Sequence, residues 1–384
     1  MNGRVSSADL SVYMAIQSFR PTVGGGELQL ERLLPRLARR GIALTVLTRG
    51  FPGQPRRERT DGVQVRRTAI SGRSAAASIA FVGESLLRVL PRAASTRTVV
   101  HAHGAMSEGT IALGATAMGI PAIVTVFGAG WMGDFERLAT KPGGRARMQW
   151  LMRRAFFVAL SSEIRIELER LGAPPGRIFD IPNGVDELVY RPSDASERSR
   201  LRQELGLPAG AVGVYVGRLE HIKGADRLVR ALAPVNDLTL VVVGDGTERP
   251  ALERLAADLG VAGRTHFVGF SDRVPDYLRA ADAFFLASRG EGMSNALLEA
   301  MASGLACVAA ETSGVRELLG GDRGLVVSGD DEAGWSLALS RLAEDEELRA
   351  RLGESAATFV RRRYSLDVTA DALVDAYEHL AGLE

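Results

Sequence analysis

The chain is nearly free of cysteine and of lysine. Cys307 is its only cysteine, so no intramolecular disulfide can form, and a reducing compartment fits such a chain. Cys307 lies in the apolar run LACVAA, where a small buried hydrophobe is expected. Of 47 basic residues only Lys141 and Lys223 are lysines. No apolar run reaches the ~18 residues that a membrane-spanning helix needs, and MNGRVSSADLSVYMAI reads as the approach to a first strand, without the cleavage pattern of a secretory leader. The sequence also lacks HExxH, paired CxxC and acidic residues at metal spacing, so neither a protein-held metal nor a cofactor is expected. GAGWMG (128–133) has GxGxxG spacing, but no acid falls between Glu136 and Glu163, where a dinucleotide site needs one about 20 residues on, which disfavours a dehydrogenase, and nothing resembles a nucleophile elbow with its triad.

What is present is a chain of 384 residues, 46% hydrophobic and 24% charged, the balance of a soluble globular protein with room for two domains. The net charge is +1, yet residues 1–183 hold 25 basic and 13 acidic residues while residues 184–384 hold 22 and 33. Three readings fit the basic half: an anionic acceptor, an anionic membrane surface, or solvated arginine.

Apolar strands alternate with helical patterns. Strands are expected at 10–16, 43–48, 63–68, 98–103, 122–127, 156–161 and 177–182, then at 211–217, 238–244, 265–270, 283–288, 305–310 and 323–329. Continuous apolar strands separated by helices imply parallel sheets covered on both faces, and two such sets imply two doubly wound domains. A helix is expected over 27–41, with Pro35 marking a kink or a late start, and another over 161–172. The turn-rich stretch 181–200 suggests the boundary. The expected domains are 1–183, 184–364 and a final helical segment 365–384.

Ligands of open α/β sheets bind beyond the carboxyl ends of the strands, and the distinctive residues fall there. Arg218 and Lys223 follow a strand in VGRLEHIKG; their donors suit a diphosphate. A lysine kept in an arginine-dominated chain suggests that a compact ammonium is wanted there. In EGMSNALLEAMASG, Glu291 lies in a loop and a helix starts near Ser294, with free N–H groups that favour phosphate. Asn295 and Glu299 share a face of that helix, and Glu299 sits about 7 Å along its axis, the separation of a diphosphate from a ribose. Gly24, Gly25, Gly26 and Glu27 end the first strand and allow close approach of the backbone to a ligand. Gly244-Asp245-Gly246 is a weaker signal of the same kind. His101 and His103, two apart, are expected on opposite faces of a strand end.

In order and spacing, VGRLEHIKGADRLVRAL, LVVVGDGTERPAL and THFVGF…SRGEGMSNALLEAMASGLACVAAETSGVREL, supported by GGGELQLERLLPRLARRG, HAHG and IPNGVD, resemble the retaining nucleotide-sugar glycosyltransferases of family 4. The resemblance implies the GT-B fold, an α/β architecture of two Rossmann-like domains facing a central cleft: an acceptor-side N-terminal domain, a donor-side C-terminal domain, and a final helix returning to the first. It implies that Arg218 and Lys223 hold the donor diphosphate and Glu291 the sugar hydroxyls. Gly292, Met293, Ser294 and Asn295 would contact sugar or phosphate, and Glu299 the ribose. Phe270 would border the base, and Gly25, Gly26 and Gly244 would lie close to the donor. Many relatives carry a histidine where this chain has Phe127; His103, Asp134 or Glu108 is then the candidate polar group on the acceptor side.

The expected partners are a nucleotide-diphosphate sugar, UDP by family frequency, and a saccharide, lipid-linked or small-molecule acceptor, with no nucleic acid. The expected location is cytoplasmic. GRARMQWLMRRAFF (144–157) offers arginines beside Trp150 for peripheral contact with an anionic membrane at the inner face, or else forms a domain helix with a solvated basic face. Rival readings are a nucleotide-sugar epimerase of the same architecture, a pyridoxal-phosphate phosphorylase using Lys141 or Lys223, and a non-catalytic sugar-nucleotide binder.

Overall fold

Strands that are apolar on both faces need helices on both faces, and the chain meets that need twice. The computed structural model describes residues 10–20, 24–72, 74–92, 97–130 and 133–383. It divides into two units: one ends at Asn183 and is completed by the chain from Leu366 onward, and the other is Gly184–Ser365.

The first unit contains β1 (Ser11–Ala15), α1 (Gly25–Arg39), β2 (Ala43–Gly50), β3 (Arg57–Thr60), β4 (Val63–Ser71), α2 (Ala75–Val89), β5 (Thr98–His103), α3 (Ser107–Ala117), β6 (Ala122–Val126), α4 (Asp134–Ala139), α5 (Gly144–Arg154), β7 (Phe156–Ala159), α6 (Ser162–Arg170) and β8 (Ile178–Asp180). Its sheet runs β3-β4-β2-β1-β5-β6-β7-β8, parallel except for the β3–β4 pair. The strand β3, RERT, is too polar to show an apolar period, and it was not expected from sequence. Helix α1 begins at Gly25 and continues through Pro35 to Arg39, so of the two expectations for that proline, a kink or a late start, the late start is overturned. Burial of Leu30, Leu33, Leu34 and Leu37 holds the helix despite the missing donor.

The second unit contains α7 (Ala195–Leu205), β9 (Ala211–Val216), α8 (Ala225–Ala231), β10 (Leu238–Val243), α9 (Arg249–Asp258), β11 (Thr265–Gly269), α10 (Val274–Ala280), β12 (Ala283–Leu286), α11 (Asn295–Ala302), β13 (Ala306–Ala310), α12 (Val315–Leu319), β14 (Leu325–Val327), α13 (Glu332–Glu344) and α14 (Glu346–Arg363). Its parallel sheet runs β11-β10-β9-β12-β13-β14. Gly213 in β9 makes room for the ring of Phe285 in β12, because a Cβ there would collide with it. Trp335 of α13 is buried in the same core, and Cys307 is buried in β13.

The last helix, α15 (Leu366–Leu380), belongs to the first unit and packs on α1. Arg40 pairs with its Asp367 and Asp371, and the Tyr377 hydroxyl lies 2.6 Å from Nδ1 of His101.

Each sheet has a switch point. In the first unit chain order diverges around β1, flanked by β2 and β5; in the second it diverges around β9, flanked by β10 and β12. Crevices at such points are where open α/β sheets take ligands.

Candidate active site

In the second unit, neighbouring strands bring their C-terminal loops together. The loop after β9 is fastened to the loop after β10 by Leu219 N donating to Asp245 O and Glu248 N donating to Leu219 O, both 2.9 Å. Gly244, at φ +140°, touches this loop so closely that a Cβ would strike Gly217 O. On the other side Arg289 N donates to Ile222 O at 2.8 Å, and the Arg289 guanidinium grips His221 O and both carboxylate oxygens of Asp226. Gly224, at φ +67°, lies against the Ala287 carbonyl with no room for a side chain.

That scaffold places Lys223 Nζ 2.6 Å from Glu291 Oε1, and Ser288 Oγ donates to the same oxygen at 2.9 Å. Two residues separated by 68 positions thus form one ion pair, and both are largely shielded. Arg218 is different. Its side chain is 64% exposed and reaches its neighbour Glu220, at 2.7 Å. Ser294 caps α11 by accepting from Leu297 N, and Met293 and Glu299 are buried beside it. Gly292 and Asn295 are half-buried. Phe270, after β11, is 70% exposed. A cation, a carboxylate and a helix N-terminus therefore meet at the β9–β12 switch point, an arrangement able to bind a phosphate and a hydroxyl together.

In the first unit the crevice is built from buried polar groups. Gln17, just beyond β1, donates from its backbone N and its side chain to the two Glu108 carboxylate oxygens, at 3.2 and 3.0 Å. Burial raises the Glu108 pKa to about 7 against the pull of those donors. Arg49 at the end of β2 is buried and reaches Ser78 Oγ and Ser107 Oγ. Asp134 accepts from Phe127 N at 2.6 Å, fixing the loop after β6; burial pushes its carboxyl upward too. The Phe127 ring lies against Gly26, whose Cβ would come within 3.3 Å of it. Gly25 and Gly26 form the first turn of α1.

The histidines require a correction. His101 and His103 are stacked, with ring centroids 4.2 Å apart, and do not point to opposite faces. Strand side chains alternate, so residues two apart share a face. His101 Nε2 lies 2.7 Å from Thr125 Oγ1, and His103 Nε2 lies 3.4 Å from Met14 Sδ. Burial lowers the His103 pKa to about 4 and takes His101 well below its ordinary value, with the neighbouring His103 charge adding to the effect.

The structure thus joins Lys223 to Glu291, and Gly26 and Asp134 to Phe127. It leaves Arg218 pointing to solvent. Sequence reasoning missed Ser288, Arg289 and Asp226, which lie within or beside the motifs already singled out, and Gln17 and Arg49, which carry no motif.

Residues 23–187 match the family model described as Glycosyltransferase Family 4, and residues 210–345 the one described as Glycosyl transferases group 1. A D-inositol 3-phosphate glycosyltransferase of Acidothermus cellulolyticus is 30% identical over 391 residues, 92% of this chain and 85% of that protein. One of the same name from Xylanimonas cellulosilytica is 37% identical over 233 residues, 57% of this chain and little more than half (56%) of that protein. Among solved structures, Anabaena HepE in complex with UDP-glucose has a TM-score of 0.78 at 20% identity, covering 96% of this chain and 100% of that one. The fold is GT-B.

Proposed function

This chain belongs to the family 4 glycosyltransferases, and from that membership we propose that it is a retaining hexosyltransferase using a nucleotide-diphosphate sugar, UDP-linked, as donor. The observation that carries the reading is the Lys223–Glu291 pair at the second unit's switch point. Lys223, joined by Arg218 from its exposed position, holds the donor diphosphate and stabilises charge as the glycosidic bond breaks, often the greatest single contribution to catalysis. Glu291, freed from Lys223 by the phosphate, accepts from sugar hydroxyls. The amides of Gly292–Asn295 contact sugar or phosphate, Glu299 receives the ribose, and Phe270 borders the base. HepE, bound to UDP-glucose, supports the choice of nucleotide.

Transfer proceeds at the front face. The acceptor oxygen bonds to the anomeric carbon on the side from which the nucleoside diphosphate departs, and the acceptor proton passes to that diphosphate. No covalent enzyme intermediate forms. A phenyl ring at Phe127, with its backbone N held by Asp134, supports a route that needs no protein base at that position. The acceptor is a saccharide, a lipid-linked saccharide or a sugar-like small molecule; the Acidothermus and Xylanimonas relatives are named for D-inositol 3-phosphate. The single cysteine fits a cytoplasmic enzyme.

The test is an acceptor screen with UDP-glucose, reading UDP release and the anomeric configuration of the product by NMR. Acceptor-dependent UDP release with an α-linked product is expected. Conversion of the donor with no acceptor present would indicate an epimerase. Donor binding without turnover across the screen would indicate a binding protein, and a β-linked product would overturn the retaining mechanism.

A further inference from the structure

Helix α2 turns an apolar face to solvent. Ile79 is 74% exposed, Leu87 69% and Leu90, in the turn that follows, 49%. With Ala75, Ala76 and Gly83, also exposed, they recur at helical spacing and make one continuous stripe. Of the twelve large apolar side chains described as exposed, four, including Ile70 at the end of β4, fall within residues 70–90. Scattered exposed apolar residues are ordinary, but a contiguous stripe marks an interaction surface. Helix α1 behaves in the usual way, presenting Glu27, Glu31, Arg32, Arg36 and Arg39 away from its leucine face.

The surroundings of the stripe are cationic. Arg56, Arg57 and Arg59, which precede α2, are exposed, while Arg49 and Arg67 are buried. The only acid on α2, Glu84, is held by Arg56 and Arg88. The stripe also has company in its own layer. Helix α3 packs between α2 and α5, with Gly114 against Leu86 of α2 and Gly109 against Leu151 of α5. On α5, Arg145, Arg153 and Arg154 are exposed, the helix has no acid, and Trp150 is 55% exposed with the Arg154 guanidinium 5.2 Å over its ring.

We infer that the outer face of the α2–α3–α5 layer docks on an anionic phospholipid bilayer. Ile79, Leu87 and Leu90 enter the boundary between headgroups and acyl chains, Trp150 sits at headgroup depth, and the α5 arginines meet lipid phosphate. Apolar stripe, interfacial tryptophan and arginines without intervening acid are the combination that interfacial helices use. The charge of the layer favours this occupant over a second copy of the chain, because two such faces would bring arginine against arginine. No helix among the described residues is long and apolar enough to cross a membrane, so attachment through this face is peripheral.

The experiment is flotation of the full chain with vesicles of phosphatidylglycerol and phosphatidylcholine, beside vesicles of phosphatidylcholine alone. The variants are Ile79→Glu/Leu87→Glu and, separately, Arg145→Gln/Arg153→Gln/Arg154→Gln, all at exposed positions. Binding to the anionic vesicles only is expected, weakened about tenfold or more by either variant and lowered by salt, with thermal stability unchanged. Binding that ignores both variants, or none to anionic vesicles, would overturn the inference. A concentration-dependent dimer abolished by the glutamates, with no lipid binding, would assign the stripe to a second copy instead.

Discussion

The two crevices of this chain are fastened by opposite means. In the second unit, ions face ions: Lys223 on Glu291 and Arg289 on Asp226. In the first, a carboxyl pushed to about 7 takes two donors from Gln17, Asp134 grips the backbone of Phe127, and two histidines stack with their pKa values lowered. Charged pairs at loop positions stay exchangeable, so an incoming phosphate can take one partner. Buried groups hydrogen-bonded to one another set the shape of a wall. The contrast assigns electrostatic work to the second unit and positioning to the first.

The sharpest way to break this contrast is Lys223→Ala. It should lower turnover by about 10²-fold or more, measured as UDP release with a saturating acceptor. Near-normal turnover would remove the ionic role from the second unit. The glycines come next. Gly224→Ala places a Cβ against the Ala287 carbonyl at positive φ and should cost about 3 kcal/mol or more, read as a lowered Tm. Gly26→Ala meets only the half-buried Phe127 ring and should change stability by less than about 1 kcal/mol. Equal effects would mean that the two units do not differ in how tightly their loops are set.

The pH dependence probes the first unit. Glu108 has its folded pKa raised from 4.5 to about 7, so the folded state binds the extra proton and stability is lost as pH rises through that window. His103, lowered from 6.5 to about 4, works the other way: stability is lost as pH falls from 6.5 toward 4. The two slopes oppose each other across most of the same range. Glu108→Gln removes one and should uncover the other, steepening the rise of Tm between pH 4.5 and 6.5. Relative to wild type the variant gains up to about 3 kcal/mol above pH 7. An unchanged profile would show that Glu108 does not titrate there. Phe270→Ala separates binding from stability. The ring is exposed, so stability should hold while UDP affinity falls by about 1 kcal/mol, detected by calorimetry.

Legibility followed the same divide. The sequence motifs in SRGEGMSNALLEAMASG and VGRLEHIKG mark strand ends and a capped helix, and the alternation of strands and helices was enough for the two sheets. The contact between Lys223 and Glu291 was not readable, because it depends on β12 lying beside β9. The Gln17–Glu108 bond joins positions 91 apart and shows in no local pattern. His101 and His103 are two apart on β5 and so share a face, where their rings stack. The polar edge strand β3 gave no apolar signal. The α2 stripe hid for the converse reason: SAAASIAFVGESLLRVL looks like an ordinary core helix until its neighbours reveal which face is covered.

The central claim is that the second unit's switch point is the nucleotide-sugar site, and thermal stabilisation tests it most directly. Wild type and Glu299→Gln are melted with UDP-, GDP-, ADP- and dTDP-sugars. A ligand that binds only the folded state adds about 2.7 kcal/mol at a hundred times its Kd. The account predicts a Tm rise with the UDP-sugar that is sharply reduced in Glu299→Gln. No rise with any of the donors, or a rise that the variant keeps in full, would contradict it.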